Sequence, residues 1–249
     1  MGVWAVTGAS RGLGRALGEA LVDAGHHVIA LARTVNDMEA WSTATQGSGL
    51  AVVPIHLDLA DGASIADAAS HLLAHPVVVE HGLSGLVHNA GDVSPVGSMS
   101  EVDDAEWARS MQVNLVGVQQ FTRAVWPAMV RGGCRVVTIS SGASLRPIHG
   151  WSAYCVAKAG LDMWARMLAV EGADVGIEAV AVAPGIVDTA MQATIRGAGP
   201  EGFPSHADFV GLHNEGHLVP PDDVAERLLP VLLDGVRFPS GQRFDVREL

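Results

Sequence analysis

The sequence predicts a doubly wound α/β fold, a parallel sheet of about seven strands flanked by helices, in a single domain spanning residues 1–249. Three observations carry that expectation. Short β-branched runs alternate with amphipathic or alanine-rich stretches through the whole chain, which is the β-α-β-α rhythm of a parallel sheet. The 249 residues are 49% hydrophobic and 17% charged, ample apolar material for a large core. A glycine-rich turn directly follows the first apolar run and opens an amphipathic stretch.

Taken in order, the strands are expected at Val3–Thr7, His27–Ala32, Ala51–Leu57, Leu83–His88, Arg135–Ser140 and Ile177–Ala183, with a last one near Gln242–Val246. Helical periodicity marks Leu13–Asp23, Ala63–Leu73, Asp104–Met129, Ala153–Glu171 and Asp222–Leu233. The stretch Thr189–Val219 breaks the rhythm, with five glycines and two prolines among polar residues. It reads as a lid over a site, with an ordinary surface loop as the alternative. No internal repeat and no linker interrupts the chain.

A formal net charge of −12 repels phosphate backbones and anionic lipid, so neither a nucleic acid nor a membrane surface is expected as a partner. Any anionic ligand must be held by local groups. An apolar run begins directly after Met1 and Gly2, leaving no room for a secretory leader, and Cys134 and Cys155 make no disulfide framework. No apolar run reaches the ~20 residues of a membrane span. A cytoplasmic protein with reduced thiols is expected.

The turn after the first strand reads Thr7-Gly8-Ala9-Ser10-Arg11-Gly12-Leu13-Gly14. Its glycines let backbone approach a pyrophosphate whose charge the following helix N-terminus favours, the arrangement of a Rossmann-type dinucleotide site. One more compositional feature stands out. Of the fifteen basic residues fourteen are arginine, and the sole lysine, Lys158, lies four positions after the sole tyrosine, Tyr154.

Three residues between the first two glycines, Asn89-Ala90-Gly91 after the fourth strand, Asn114 in the helix that follows, Ile139-Ser140-Ser141, Tyr154-Cys155-Val156-Ala157-Lys158, Pro184-Gly185 and Thr189 occur in that order. With this set the whole chain resembles the short-chain dehydrogenase/reductase family. The resemblance implies a nicotinamide dinucleotide held by Gly8, Ser10, Arg11, Gly12, Leu13, Gly14, Asp58, Leu59, Asn89, Ala90, Gly91, Tyr154, Lys158, Pro184, Gly185, Val187 and Thr189. At the end of the second strand Ala32-Arg33 stands where NAD-preferring enzymes place a carboxylate, and Arg11 is the second basic position of NADP enzymes, so NADP(H) is the expected cofactor. Asp58 matches the residue that caps the adenine amino group, or is simply a turn aspartate.

A carbonyl that receives hydride becomes an alkoxide and needs a proton donor. Tyr154 can supply the proton. Lys158, one turn on and on the same helical face, is expected to lower its pKa from about 10 by roughly 3 units through a cation at about 4 Å. By resemblance Ser141 binds the substrate oxygen and Asn114 holds a water that relays protons to Lys158. His71/His75 and His213/His217 have one-turn metal spacing but no obvious third ligand, so no metal is expected.

Gly150-Trp151, Asp162-Met163, Asp188-Thr189, Met191-Gln192, Ser240-Gly241 and Asp245 narrow the resemblance to sepiapterin reductases and bacterial benzil reductases. These reduce side-chain carbonyls and small α-diketones with NADPH. Carried over, the small-molecule carbonyl substrate meets Ser141, Leu145, Trp151, Tyr154, Met191 and Asp245, the last anchoring a pterin or merely ending a strand. The chain departs from the pattern at His88, where the family has asparagine, and in its Arg247-Glu248-Leu249 tail. A homodimer or homotetramer is expected. A general short-chain ketoreductase and a catalytically silent NADP-binding regulator are the alternatives.

Overall fold

A computed structural model describes residues 1–249. Seven parallel strands, β1 (Val3–Thr7), β2 (His27–Ala32), β3 (Val52–His56), β4 (Gly85–His88), β5 (Arg135–Ile139), β6 (Glu178–Ala183) and β7 (Arg243–Asp245), form one sheet in the order β3-β2-β1-β4-β5-β6-β7. β1, β2, β4 and β5 are buried along their whole length, because helices cover both faces of the sheet. The strand order reverses between β1 and β4, and in such sheets ligands bind outside the carboxyl ends of the strands at that point.

One face carries α1 (Gly12–Asp23), α2 (Asn36–Ala44) and α10 (Pro221–Leu233) over a core of 26 buried residues, including Leu17, Val28, Trp41 and Leu228. The other carries α3 (Gly62–Ala74), α4 (Pro76–His81), α6 (Gly117–Gly132) and α7 (Ser152–Glu171) over 25 buried residues, among them Ile29, Leu72, Phe121 and Leu161. A third cluster of six stands apart: Val93, Ala143, Trp151, Tyr154, Ile195 and Phe203.

Three expectations are corrected here. The single helix expected over Asp104–Met129 is α5 (Asp104–Met111), a π turn at Gln112–Val116 and then α6, because the Asn114 side chain bonds across its own turn to Ser110. The stretch expected as a lid, or as an ordinary surface loop, contains α8 (Ala190–Gly197) and α9 (His206–Asn214), with Phe203 between them fully buried and Met191, Ile195 and Phe209 lining the cavity at the carboxyl ends of the strands. α2 and α4 were not expected. α2 is polar outside Met38 and Trp41, and α4 is six residues started by Pro76, which suits the first turn of a helix.

Candidate active site

The carboxyl ends of all seven strands open onto one cavity of about 1150 Å3. Of the residues expected at the cofactor and substrate, every one except Gly14 and Asn114 lines it. Seven of the fifteen cationic side chains lie on its wall against four carboxylates, so the chain concentrates positive charge here despite its net −12.

The dinucleotide side is built by glycines and by an uncapped helix. Gly8 and Gly12 have φ of +70° and +55°, a region that side chains resist. A Cβ on Gly14 would lie 2.3 Å from both Asn89 Nδ2 and the Gly8 carbonyl oxygen, so its part is the close approach of α1 to the β4 loop. α1 begins at Gly12 with no side-chain cap and no acidic residue in its first turn, leaving free N–H groups that suit a pyrophosphate. Asn89 acts as a strut: Nδ2 donates to Thr7 O (3.0 Å) and Gly8 O (3.4 Å), while Thr7 Oγ1 accepts the N–H groups of Asn89 and Ala90, each at 3.1 Å. Thr189 closes over Gly12, its Cγ2 3.3 Å from where a Cβ would stand. Arg11 and Arg33 are exposed on the cavity rim. Asp58 is a turn aspartate whose Oδ1 accepts the Ala60 N–H at 2.9 Å, and it also lines the cavity. These features fit a nicotinamide dinucleotide.

At the reacting end Tyr154 is 6% exposed, its ring edge-on to Trp151 (5.5 Å) and its hydroxyl 4.0 Å from Met191 Sδ. Ser141 caps the turn after β5, its Oγ accepting the Ala143 N–H at 3.1 Å. Lys158, 3% exposed, donates from Nζ to the Ile139 carbonyl at 2.8 Å and lies 5.7 Å from the centroid of the Tyr154 ring. Gly91 leaves a gap beside it that a side chain would fill, since a Cβ there would stand 3.5 Å from Nζ and 3.0 Å from Asn114 Oδ1.

The expected depression of the Tyr154 pKa is overturned. Burial pushes the phenol up to about 12, with the Ser141 side chain offsetting only part of the rise. Burial also brings Lys158 down to about 8, against the pull of Asp162. One turn of helix brings the two side chains to one face, and Nζ makes its hydrogen bond to β5. Asn114 Nδ2 donates to Asp92 O (2.7 Å) and Ser110 O (3.0 Å), and its Oδ1 accepts the Asp92 N–H (3.0 Å). The side chain thus fixes the Asp92 segment.

The substrate side is aromatic. Trp151 stacks on Phe203 (5.4 Å, 13° between planes) and meets Phe209 at 5.3 Å, with Ile148, Met191 and Ile195 beside them and Leu145 exposed at the mouth. Asp245 lines the cavity, but Arg247 occupies it: Oδ1 accepts both the backbone N–H (3.1 Å) and Nε (2.8 Å), and Oδ2 accepts Nη2 (2.6 Å). Those bonds hold its pKa below the usual carboxylate range.

Sequence reasoning missed Arg109, Arg146, Gln192, Phe209, Arg243 and Arg247 on the cavity wall. Arg243 was legible, since it shares a strand face with Asp245 at a spacing of two. Phe209 was not, because its helix was read as loop. His75 caps α4 through Nδ1, and no three His, Cys, Asp or Glu side chains stand together as a metal site would need.

The short chain dehydrogenase family model matches residues 3–198. A benzil reductase ((S)-benzoin forming) of Bacillus subtilis (strain 168) is 34% identical, with 100% of this chain and 99% of that protein covered. One of Bacillus cereus with the same description is 31% identical, with 98% of each covered. Among solved structures, KRED1-Pglu is 30% identical with a TM-score of 0.85, covering 98% of this chain and 100% of the other. An actinorhodin polyketide ketoreductase variant with NADPH is 25% identical with a TM-score of 0.84, covering 98% and 95%.

Proposed function

The chain belongs to the short chain dehydrogenase family, an oxidoreductase family with a nicotinamide cofactor, and from that premise we propose that it is an NADPH-dependent carbonyl reductase acting on aryl α-dicarbonyl substrates. The observation that carries the reading is the placement of Tyr154, Ser141 and Lys158 on a cavity also lined by Trp151 and Phe209, with Trp151 packed edge-on against Tyr154 and backed by buried Phe203. Bound there, the cofactor supplies the hydride that reduces the substrate carbon. The protein's own residues supply the rest. Ser141 Oγ donates to the carbonyl oxygen and stabilises the negative charge that develops on it. The Tyr154 phenol, held protonated by burial, passes its proton to that oxygen. Lys158, its Nζ held on the Ile139 carbonyl beside the gap left by Gly91, would bind the cofactor there.

The choice of NADPH is supported by Arg11 and Arg33, exposed on the rim with no carboxylate at Ala32. Arg33→Ala should raise KM for NADPH far more than for NADH; equal effects would remove the 2′-phosphate from the reading. The choice of a diketone over a sepiapterin-like substrate is supported by Asp245, both of whose oxygens are taken by Arg247. A pterin anchored there would first have to break that pair. A diketone asks only for apolar contact around two adjacent carbonyls.

We take the second copy of a homo-oligomer to pack on α7, whose outer side exposes Val156, Met163, Met167 and Val170. No helix is long and apolar enough to cross a membrane. Two free cysteines, one of them buried, fit a reducing cytoplasm, and the net charge disfavours nucleic acid and membrane partners. The deciding experiment follows NADPH oxidation with benzil and related diketones, in wild type and Tyr154→Phe. Turnover that falls by at least about a hundredfold in the variant, with cofactor binding intact, is expected. Cofactor binding without turnover on any diketone would instead mark a silent regulator.

A further inference from the structure

Behind Ser141 and Lys158, away from the aromatic wall, lies a charged pair that the proposed chemistry does not use. Asp162 is one turn beyond Lys158 on the same face of α7 and 6% exposed. Arg243, the first residue of β7, donates from Nε to Asp162 Oδ2 at 3.1 Å and from Nη2 to the carbonyl oxygen of Ser141, also at 3.1 Å. To reach β5 its side chain must cross β6. There Ala181 stands opposite it in register, with Ala179 and Ala183 on the same face, so only methyl groups occupy the path.

A buried ion pair is poor evidence of a stabilising role, because desolvation offsets most of its attraction and an apolar pair often serves stability as well. What this pair does have is geometry. One rigid fork ties the end strand to the helix bearing Lys158 and to the turn bearing Ser141. Asp162 Oδ1 is buried without a partner, which leaves part of the carboxylate's charge uncompensated within one turn of Lys158.

We propose that Asp162 and Arg243 are positioning residues that fix Ser141 and Lys158 relative to Tyr154 and set the charge environment of Lys158. The inference rests on the reading of Ser141, Tyr154 and Lys158 as catalytic. The groups facing Lys158 from each packed element are few. They are Asp162 and Tyr154 on its own helix, the Ile139 carbonyl on β5, Arg243 from β7 through Asp162, and His88 at the end of β4. His88 is neutral, because burial and the nearby Lys158 push its pKa down to about 3. Asp245, farther along β7, is held by Arg247. Asp162 is therefore the one carboxylate among the groups facing Lys158, and Arg243 is its counter-ion.

The test compares Arg243→Gln, Asp162→Asn, Arg243→Lys and the Asp162→Asn/Arg243→Gln double variant with wild type. The measurements are kcat and KM against pH with NADPH and a diketone, NADPH binding by fluorescence, and thermal melting. Arg243→Gln is expected to lower kcat by about tenfold or more, as misplacement of reacting groups does. The alkaline limb of kcat should move up in pH in Arg243→Gln, where Asp162 loses its counter-ion, and down in Asp162→Asn, where Lys158 loses its carboxylate. Arg243→Lys keeps the limb and loses kcat, because an ammonium lacks the two-armed fork. A merely structural pair would lower the melting temperature without moving the limb in opposite directions. Limbs that move together or stay, or an Arg243→Gln kcat within about twofold of wild type, overturn the proposal. Should a single variant not fold, the double variant, which leaves no unpaired charge, decides on kcat alone: a loss of about tenfold supports the role and full turnover refutes it. Tyr154→Phe, run alongside, separates the two readings. Retained turnover there sinks the catalytic assignment, whereas a dead Tyr154→Phe beside unimpaired Arg243 variants sinks only the positioning role.

Discussion

Because Tyr154 is the sole tyrosine, its ionisation can be followed directly by tyrosinate absorbance in the near ultraviolet, with no other phenol contributing. The perturbation is alkaline titration of the cofactor-free protein, native and in denaturant, together with a Lys158→Met variant. Burial raises the native phenol from 10 to about 12, which corresponds to about 3 kcal/mol favouring the protonated form. At pH 11 the native phenol should then be only about a tenth ionised, whereas the denatured chain, with an ordinary pKa near 10, should be about nine-tenths ionised. Fast mixing into alkali keeps the reading ahead of unfolding.

Lys158→Met is the sharper arm. A lysine whose own pKa is brought down to about 8 is neutral well before the phenol titrates, so it has no charge with which to stabilise the tyrosinate. The variant's midpoint should therefore stay within about half a unit of wild type. A native midpoint at or below 10, or one that rises by about 3 units on removing Lys158, would refute the reasoning and restore the simple Coulomb picture of a cation at 4 Å.

Three further outcomes are expected. Phe203→Ala removes a fully buried ring that stacks on Trp151 in the cluster holding Tyr154, so kcat/KM for a diketone should fall at least about tenfold and the urea midpoint should also drop; kcat/KM within about twofold of wild type would show that the ring does not support the site. Gly14→Ala forces a Cβ against the Gly8 backbone and Asn89, so about 2–3 kcal/mol of stability and most cofactor affinity should be lost; near-normal NADPH binding would contradict the tight approach of α1 to β4. His26, His27 and His75 each accept a backbone N–H at Nδ1, from Gly2, Ala51 and Val77, and burial first of all lowers the pKa of each. Neutral histidines with depressed values stabilise the fold above their ordinary 6.5, and that stability is lost as pH falls below it through the folded values, so the melting temperature should drop between about pH 6.5 and 5 and His27→Gln should flatten the drop; a flat profile in wild type would refute it.

The sheet was legible because its signal is one-dimensional. A strand such as His27–Ala32 is buried at all six positions and so appears as an unbroken apolar run, whatever lies beside it. The glycine turn, Tyr154 and Lys158 were legible for a related reason. The turn follows a strand's carboxyl end and Tyr154 and Lys158 lie one turn apart in α7, while Ser141 was placed by the family resemblance. The π turn at Gln112–Val116 left no such mark: Asn114 reaches Asp92 and Ser110 through a local hydrogen-bond choice that apolar periodicity does not record. Helices α8 and α9 were hidden by their glycines, and only Phe203 and Phe209 meeting Trp151 reveals that the stretch has a core of its own.

Charge is where chain position says least, and Asp245 shows why. Its place at the site came from the family resemblance, yet what it can do is decided by Arg247, two residues on, which takes both oxygens while Asp245 caps the turn Val246–Glu248. Lys158 makes the same point from the other sign: its spacing to Tyr154 is right for catalysis, but its Nζ is drawn to a carbonyl on β5 and its charge is opposed by burial. In both cases residue type and spacing fix which group is present, and the partner across space fixes its protonation and reach. Substrate choice in this cavity therefore depends less on possessing Asp245 than on whether the Arg247 side chain, two-thirds exposed, lets go of it.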